Sequence, residues 1–122
     1  MNRGDIKALF IYNPSTCKMP DILHKKRWSI TPCKSSRQLI HYLEQLQKKD
    51  ACILIHLPIA EDVIKLIKEI RNISLLPSII IIEQRTFYEK ARSFIKEGAC
   101  YYIGGAQSKN KFNEKLWYVR ET

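Results

Sequence analysis

Cysteine and histidine are among the side chains in this sequence that could act as nucleophiles, general bases or metal ligands. The chain of 122 residues holds four cysteines and three histidines, and no two cysteines are close enough to form a CxxC pair. Zinc sites and dithiol redox centres rely on such closely spaced ligands, because the ligands must meet around one point. The sequence therefore predicts no metal centre, and its cysteine pattern does not indicate a disulfide framework. The cysteines are at positions 17, 33, 52 and 100, and the histidines at 24, 41 and 56.

Cys17 lies in a segment with some features of a phosphate cradle. The stretch "NPSTCKMP" at 13–20 follows the first predicted strand and combines a thiol with hydroxyls and backbone N–H groups, which can bind a phosphoryl group. Pro14 and Pro20 remove two of those N–H groups. A Cys17-dependent phosphocarrier therefore stays open as an alternative function.

The stretch "DACILIHLP" at 50–58 ends where an α/β protein usually carries its chemistry. Its apolar run is typical of a central parallel strand that is covered on both faces, and it ends at Ile55 and His56. Ligands of open α/β sheets bind at the carboxyl ends of the strands. Neither a carboxylate, a serine, a lysine nor a glycine-rich loop stands at this end of the strand.

Apolar strand patterns alternate with helical patterns along the chain. The patterns predict five strands, at 7–12, 27–30, 51–55, 77–84 and 99–104, and a loop at 31–36. They also predict five helices. These are a short first helix at 20–26, a helix with its apolar face at Leu39, Ile40, Leu43 and Leu46, and helices over 60–72, from Thr86 to Gly98 and over 109–121. Two helices begin at capping boxes, Ser35 with Gln38 and Thr86 with Glu89, and acidic residues are expected in the first turn of the helix at 60–72. This alternation predicts a flavodoxin-like, doubly wound α/β fold with five parallel strands in the order 2-1-3-4-5 and helices on both faces.

The charge of the chain is strongly positive, with a formal net charge of +9 at pH 7. Such an excess can favour an acidic partner, an anionic surface or nucleic acid, and it is equally compatible with a solvated surface that binds none of these. The cluster "HKKRW" at 24–28 is the clearest basic segment, but no helix-turn-helix or base-stacking motif accompanies it. Nucleic-acid association therefore stays open as an alternative. No apolar run reaches the roughly 18 residues of a membrane span, and no signal peptide is evident, so we expect a cytoplasmic protein.

Three segments carry a resemblance to one family, in order and with similar gaps. They are "DACILIHLPIAEDVIKLIKEIR" at 50–71, "LPSIIIIEQ" at 76–84 and "KEGACYYIGGA" at 96–106. They resemble the third strand and helix, the fourth strand and the Gly-Ala-x-x-Tyr fifth strand of the receiver (CheY-like) domain of bacterial response regulators. The resemblance runs from Lys7 to Arg120, and it implies one receiver-like domain over 1–122, which could be the first part of a longer regulator.

The phosphorylation chemistry of that family does not carry over. In receivers, two acidic residues after the first strand hold Mg²⁺, an aspartate at the end of the third strand accepts the phosphoryl group, and a hydroxyl and a lysine contact it. The corresponding residues here are Tyr12 and Asn13, Ile55, Ile82, and Gly105. A shift of one residue would place His56 at the acceptor position, without the metal ligands or the lysine. The resemblance therefore implies a degenerate receiver with no catalytic residue, cofactor or metal, in which Ile55 and Ile82 are expected to fill one pocket and hold the domain in one state.

Receivers contact partners, or a second copy, through the face of their fourth helix, fifth strand and fifth helix. That face corresponds here to 87–97, 101–103 and 109–120, and Tyr102 matches an aromatic that moves with signalling state. Its candidate contact residues are Phe87, Tyr101, Tyr102, Trp117, Tyr118 and Arg120. The resemblance and the loss of the phosphorylation residues together imply a non-enzymatic pseudo-receiver that acts through protein contacts, with a possible homodimer, in a regulator of two-component or transcriptional type.

Overall fold

The computed structural model describes residues 6–13, 28–47, 51–83 and 87–104, and these residues form five strands and three helices. They are β1 (Ile6–Ile11), β2 (Trp28–Cys33), α1 (Ser36–Gln45), β3 (Cys52–His56), α2 (Val63–Ile73), β4 (Ser78–Glu83), α3 (Tyr88–Glu97) and β5 (Tyr101–Gly104). The strands are parallel and lie in the order β2-β1-β3-β4-β5. The predicted fold class and strand order are confirmed.

Alternation along the central strands divides the core into two layers, one on each face of the sheet. Residues such as Ile53, Ile55 and Ile81 pack under the three described helices. The alternate residues of the strands point to the opposite face and form a second cluster there, made of Ala8, Phe10, Leu54, Ile80, Ile82 and Ile103. The helices that were predicted at 20–26 and 109–121 lie outside the described residues.

Side-chain caps fix where the first two helices begin. The Ser35 hydroxyl accepts a hydrogen bond from the backbone N of Gln38 at 3.1 Å, as its predicted capping role requires. Asp62 caps α2 by accepting from the backbone N of Lys65 at 3.1 Å. The acidic residues therefore precede the first turn of α2 and are not in it, because Asp62 is the cap. Glu61 accepts from the backbone N of Ser36 at 2.6 Å, which joins the starts of α1 and α2.

Strand β2 is longer than predicted, because residues 31–33 continue the strand where a loop was expected. Pro32 is exposed and lies beside Phe10 in the register with β1. A proline is compatible with this position because β2 is an edge strand of the sheet, where one N–H group is not needed for pairing. The prediction of a loop at 31–36 was therefore wrong for residues 31–33.

Helix α3 ends as predicted but begins differently. Gly98 is its C-cap, with a φ of 129°, a conformation that glycine adopts without penalty. At the other end the cap position is Phe87, which makes no side-chain cap hydrogen bond, and Thr86 lies outside the described residues. None of the helices in the described part of the chain has the length and apolarity needed to cross a bilayer.

Candidate functional site at the carboxyl end of the sheet

Aromatic packing occupies the end of β1, where the resemblance would place magnesium ligands. Tyr12 is half-buried, and its ring stacks on that of Phe10 with centroids 4.9 Å apart and an interplanar angle of 22°. Asn13 follows and is also half-buried. A hard cation such as Mg²⁺ prefers carboxylates and water, and this phenol and this amide supply no negative charge. The donor set at the end of β1 does not fit the metal.

Ile55 and Ile82, which were expected to fill one pocket, lie on opposite faces of the sheet. Ile55 is fully buried in the layer beneath the helices, whereas Ile82 belongs to the second cluster on the other face. The register explains the separation, because Ile55 pairs with Ile81 and it is His56 that pairs with Ile82. The expected contact between the two isoleucines is therefore wrong. Each instead fills the core of its own layer.

His56 occupies the end of β3 on the same face as Ile82. Its ring approaches the ring of Phe10 edge-on, with centroids 6.5 Å apart and an interplanar angle of 73°. Burial lowers the pKa of His56 from its usual value, because removal from water disfavours the charged imidazolium. Its Nδ1 atom is buried and has no hydrogen-bond partner among the described residues. This histidine is an apolar-packed, neutral side chain near pH 7.

Glu83 is a buried carboxylate at the end of β4 that sequence reasoning passed over. It is 8% exposed, and its Oε2 lies 3.3 Å from the Lys90 ammonium. The Tyr102 hydroxyl donates a hydrogen bond to its other oxygen, Oε1. An acidic residue that ends an apolar run was the signal available in the sequence. The local pattern does not reveal the two partners, which come from a helix and a neighbouring strand.

Tyr102 connects this carboxylate to the start of α3. Its hydroxyl oxygen accepts a hydrogen bond from the backbone N of Phe87 at 3.1 Å. Burial, together with the hydrogen bond to Glu83, raises the pKa of Tyr102 to about 12. The phenol therefore keeps its proton throughout the physiological range, and that proton is directed at Glu83.

Part of the candidate interaction face lies within the described residues. Tyr101 and Tyr102 are adjacent on β5, so they point to opposite faces of the sheet: Tyr101 packs against the second cluster and Tyr102 against the layer beneath the helices. The two tyrosines therefore lie on either side of the edge strand β5. Phe87 is 43% exposed, and α3 adds Tyr88 at 75% and Ile95 at 45%. Trp117, Tyr118 and Arg120 lie outside the described residues.

The remaining candidates for chemistry lie elsewhere or are inert. Gly105, Cys17 and the basic cluster at 24–28 are outside the described residues. Burial raises the pKa of Cys33 to about 11, so this thiol stays protonated at neutral pH. Within the described ranges, no three His, Cys, Asp or Glu residues are grouped so that they could hold a metal ion.

The fold matches solved structures of receiver proteins over nearly the whole chain. A two-component response regulator from Clostridium difficile superposes with a TM-score of 0.77 at 18% identity, over 95% of this chain and 96% of that one. A response regulator receiver domain protein from Clostridium thermocellum gives a TM-score of 0.78 at 16% identity, over 95% and 94%. The chemotaxis protein CheY4 of Vibrio cholerae gives 0.77 at 14% identity, over 93% and 98%.

At sequence identities this low, the structural matches establish a shared fold but not a shared function. A scan against protein-family models finds no match to the sequence, and a search of curated proteins finds none either. The chain therefore has the fold of a response regulator receiver domain.

Proposed function

We propose that this chain is a pseudo-receiver, a regulatory domain that works without phosphorylation and acts through contact with a protein. The observation that carries the proposal is β3, whose five residues read CILIH and include no carboxylate. An acyl phosphate requires a carboxylate, so no residue of this strand can form one. His56 could accept a phosphoryl group only as a phosphohistidine, and it would do so without the metal ligands and the lysine of a receiver site. The proposal also treats the chain as a single regulatory domain with no catalytic activity of its own.

The surroundings of β3 support this reading. The described carboxylate nearest in the sheet, Glu83, is held by Tyr102 and Lys90. Tyr12 and Asn13 are poor ligands for the Mg²⁺ that phosphoryl transfer to a receiver needs. A buried isoleucine contributes roughly 1.5–3 kcal/mol to stability, so Ile55 favours a fixed core over a pocket that opens to a ligand.

A titration with Mg²⁺ and beryllofluoride, followed by amide NMR, tests the absence of phosphorylation. We expect no saturable shift of the amides of Ile55, Ile82 or Gly105, and no phosphoryl-sized increase in intact mass after incubation with acetyl phosphate. A receiver with an intact aspartate, treated in parallel, serves as the positive control. A saturable shift in this chain, or a phosphorylated species, would overturn the proposal.

The contact surface that we propose is the exposed side of α3. Tyr88, Arg92 and Ile95 are exposed and recur at helical spacing, so they lie along one side of the helix. Aromatic and arginine side chains dominate the energetics of many protein interfaces. Phe87 adds a second partly exposed ring at the start of the helix.

Photo-cross-linking in the native cells tests this surface. A benzoyl-phenylalanine at position 88 should trap a protein, either a different one or a second copy of this chain. The matched control is the same photoreactive residue at Glu44, which is exposed on α1. Equal trapping at both positions, or none at position 88, would contradict a contact through α3.

A further inference from the structure

Among the described residues, Glu83 is the charged residue that is buried. Its two carboxylate oxygens have partners on two different elements of the fold. Lys90 of α3 approaches one carboxylate oxygen at 3.3 Å, and the Tyr102 hydroxyl of β5 donates to the other. Burying a carboxylate is costly unless it is paired and hydrogen-bonded. Glu83 therefore favours the arrangement of β4, β5 and α3 in which both partners are in place.

The direction of the hydrogen bonds in this group is determined by chemistry. A carboxylate only accepts, and a tyrosine hydroxyl has one proton to donate. That proton goes to Glu83, so the oxygen of Tyr102 is left to accept from the Phe87 N–H, which lies 3.1 Å away. Hydrogen bonds arranged in such a chain polarise and strengthen one another.

The Phe87 N–H is a group that α3 leaves without a partner of its own. The first N–H groups of a helix have no acceptor within the helix and usually bond to a capping side chain. Phe87 has an apolar side chain and makes no cap hydrogen bond. The hydroxyl of Tyr102 on β5 instead accepts from the N–H of the cap residue itself, and so satisfies one of these groups.

Two further contacts hold α3, one at its start and one nearly two turns further along. The Lys90 ammonium lies 4.6 Å from the centroid of the Phe87 ring, a distance at which a cation is attracted to the ring face. The ring of Tyr102 packs against that of Phe94, with centroids 6.1 Å apart. Phe87 is thus held through both its backbone N–H and its ring, and Tyr88 follows it as the first residue of α3.

We propose that Glu83, Lys90 and Tyr102 form a clamp that positions the start of α3 against the ends of β4 and β5, and so holds the Phe87–Tyr88 surface in one conformation without any ligand. This deepens the proposed function, because it gives the proposed contact surface a permanent conformation. The clamp is a positioning device, and its residues take no part in chemistry.

Amide hydrogen exchange at Phe87 tests the clamp directly. In Tyr102→Phe the ring remains, but the Phe87 N–H loses its acceptor and Glu83 loses one of its donors. We expect the Phe87 amide to exchange about tenfold faster or more, while the amides of α2 are unchanged. The matched control is Tyr101→Phe, the same change one residue earlier on the opposite face of β5, which should leave Phe87 as in the wild type.

Variants of Glu83 and Lys90 keep the test decisive if Tyr102→Phe folds poorly. Glu83→Gln retains an acceptor for the hydroxyl, whereas Glu83→Leu does not, so exchange at Phe87 should increase from wild type to Gln to Leu. Lys90→Met changes a half-exposed side chain and should also accelerate exchange at Phe87. Equal Phe87 exchange in wild type, Tyr102→Phe and Lys90→Met would overturn the clamp.

Beryllofluoride titration of the same samples separates the two proposals. Shifts near Ile55 combined with the expected exchange at Phe87 would refute the pseudo-receiver and leave the clamp standing. If no such shifts occur and the Phe87 amide exchanges at the same rate in Tyr102→Phe as in the wild type, the clamp alone would be refuted.

Discussion

At the scale of single residues, the end of β3 shows how an edge suited to chemistry becomes part of the core. Leu54 and Ile55 are both fully buried, and they pack into the two layers on opposite faces of the sheet. His56 continues the strand with a polar ring, yet its neighbours are Phe10 and Ile82. Because this buried ring can take up a proton, we expect it to make the stability of the fold depend on pH.

Protonation of His56 should weaken the folded state. Because burial lowers the pKa of His56 in the fold, the unfolded chain binds a proton more readily, and unfolding takes up a proton below the unfolded pKa of about 6.5. The stabilisation is complete above that pH and is lost as the pH falls towards the folded pKa. Urea unfolding at a series of pH values should therefore show the free energy of unfolding decreasing below about pH 6.5.

Substitution of single histidines assigns this dependence. His56→Gln should flatten the decrease below pH 6.5, whereas His41→Gln, at an exposed position on α1, should retain it. A decrease that survives in His56→Gln, or disappears in His41→Gln, would show that another group is responsible.

At the scale of elements, the junction between α3 and β5 depends on the backbone of one glycine. Gly98 has a φ of 129°, and a Cβ at this position would lie 2.9 Å from Cγ of Arg71. The guanidinium of Arg71 donates to the Gly98 carbonyl from Nε at 3.0 Å and from Nη2 at 2.8 Å. The glycine thus allows α3 to end, and its carbonyl joins the end of α3 to α2.

Gly98→Ala should destabilise the fold by about 1–3 kcal/mol, the usual cost of a positive φ in a residue with a side chain. The close approach to Arg71 adds to this cost, because the neighbouring atom is near the base of its side chain. Urea unfolding measures the loss. Ser93→Ala, at an exposed position within α3, is the control and should change stability by less than about 0.5 kcal/mol. Equal stability of the two variants would contradict the role of Gly98.

The helices and strands were predicted well from local patterns, because the spacing of apolar residues in a segment indicates which of its side chains are buried. The run at 78–83 is β-branched and apolar, and it forms β4; the spacing of Leu66, Ile67 and Ile70 places them on the buried side of α2. Ser35 and Gly98 were recognised because a helix cap depends on its immediate neighbours. Fold class and strand order followed from the alternation of these elements and from the resemblance to receivers.

The features that the sequence did not reveal depend on contacts between segments that are far apart. The pairing of Glu83 with Tyr102 spans 19 residues and requires the register between β4 and β5. The separation of Ile55 from Ile82 likewise follows from the register of β3 and β4. The strand at Pro32 depends on β2 lying at the edge of the sheet, a position that its own residues do not encode.

At the scale of the whole molecule, positive charge is in large excess. The chain has 21 Lys and Arg residues against 12 Asp and Glu, and the ion pairs in the described residues are Lys68–Glu97 at 3.8 Å and Lys90–Glu83 at 3.3 Å. An excess of one sign increases the rate of association with partners of the opposite sign. The same excess repels itself within the folded chain, where the charges are closer together than in the unfolded one.

Added salt should therefore stabilise this protein at pH 7. The Debye length falls from about 30 Å at 0.01 M to about 10 Å at 0.1 M ionic strength, which screens the repulsion that a net charge of +9 produces. Screening also weakens attractive surface pairs, but each of these contributes at most about 1 kcal/mol. The midpoint of urea unfolding should rise between these two NaCl concentrations at pH 7, and the rise should vanish near the isoelectric point of about 9.5. A midpoint that falls with salt at pH 7 would mean that attractive ion pairs outweigh the net repulsion. A midpoint that rises equally at pH 7 and at pH 9.5 would mean that salt acts by favouring the burial of apolar surface and not by screening charge.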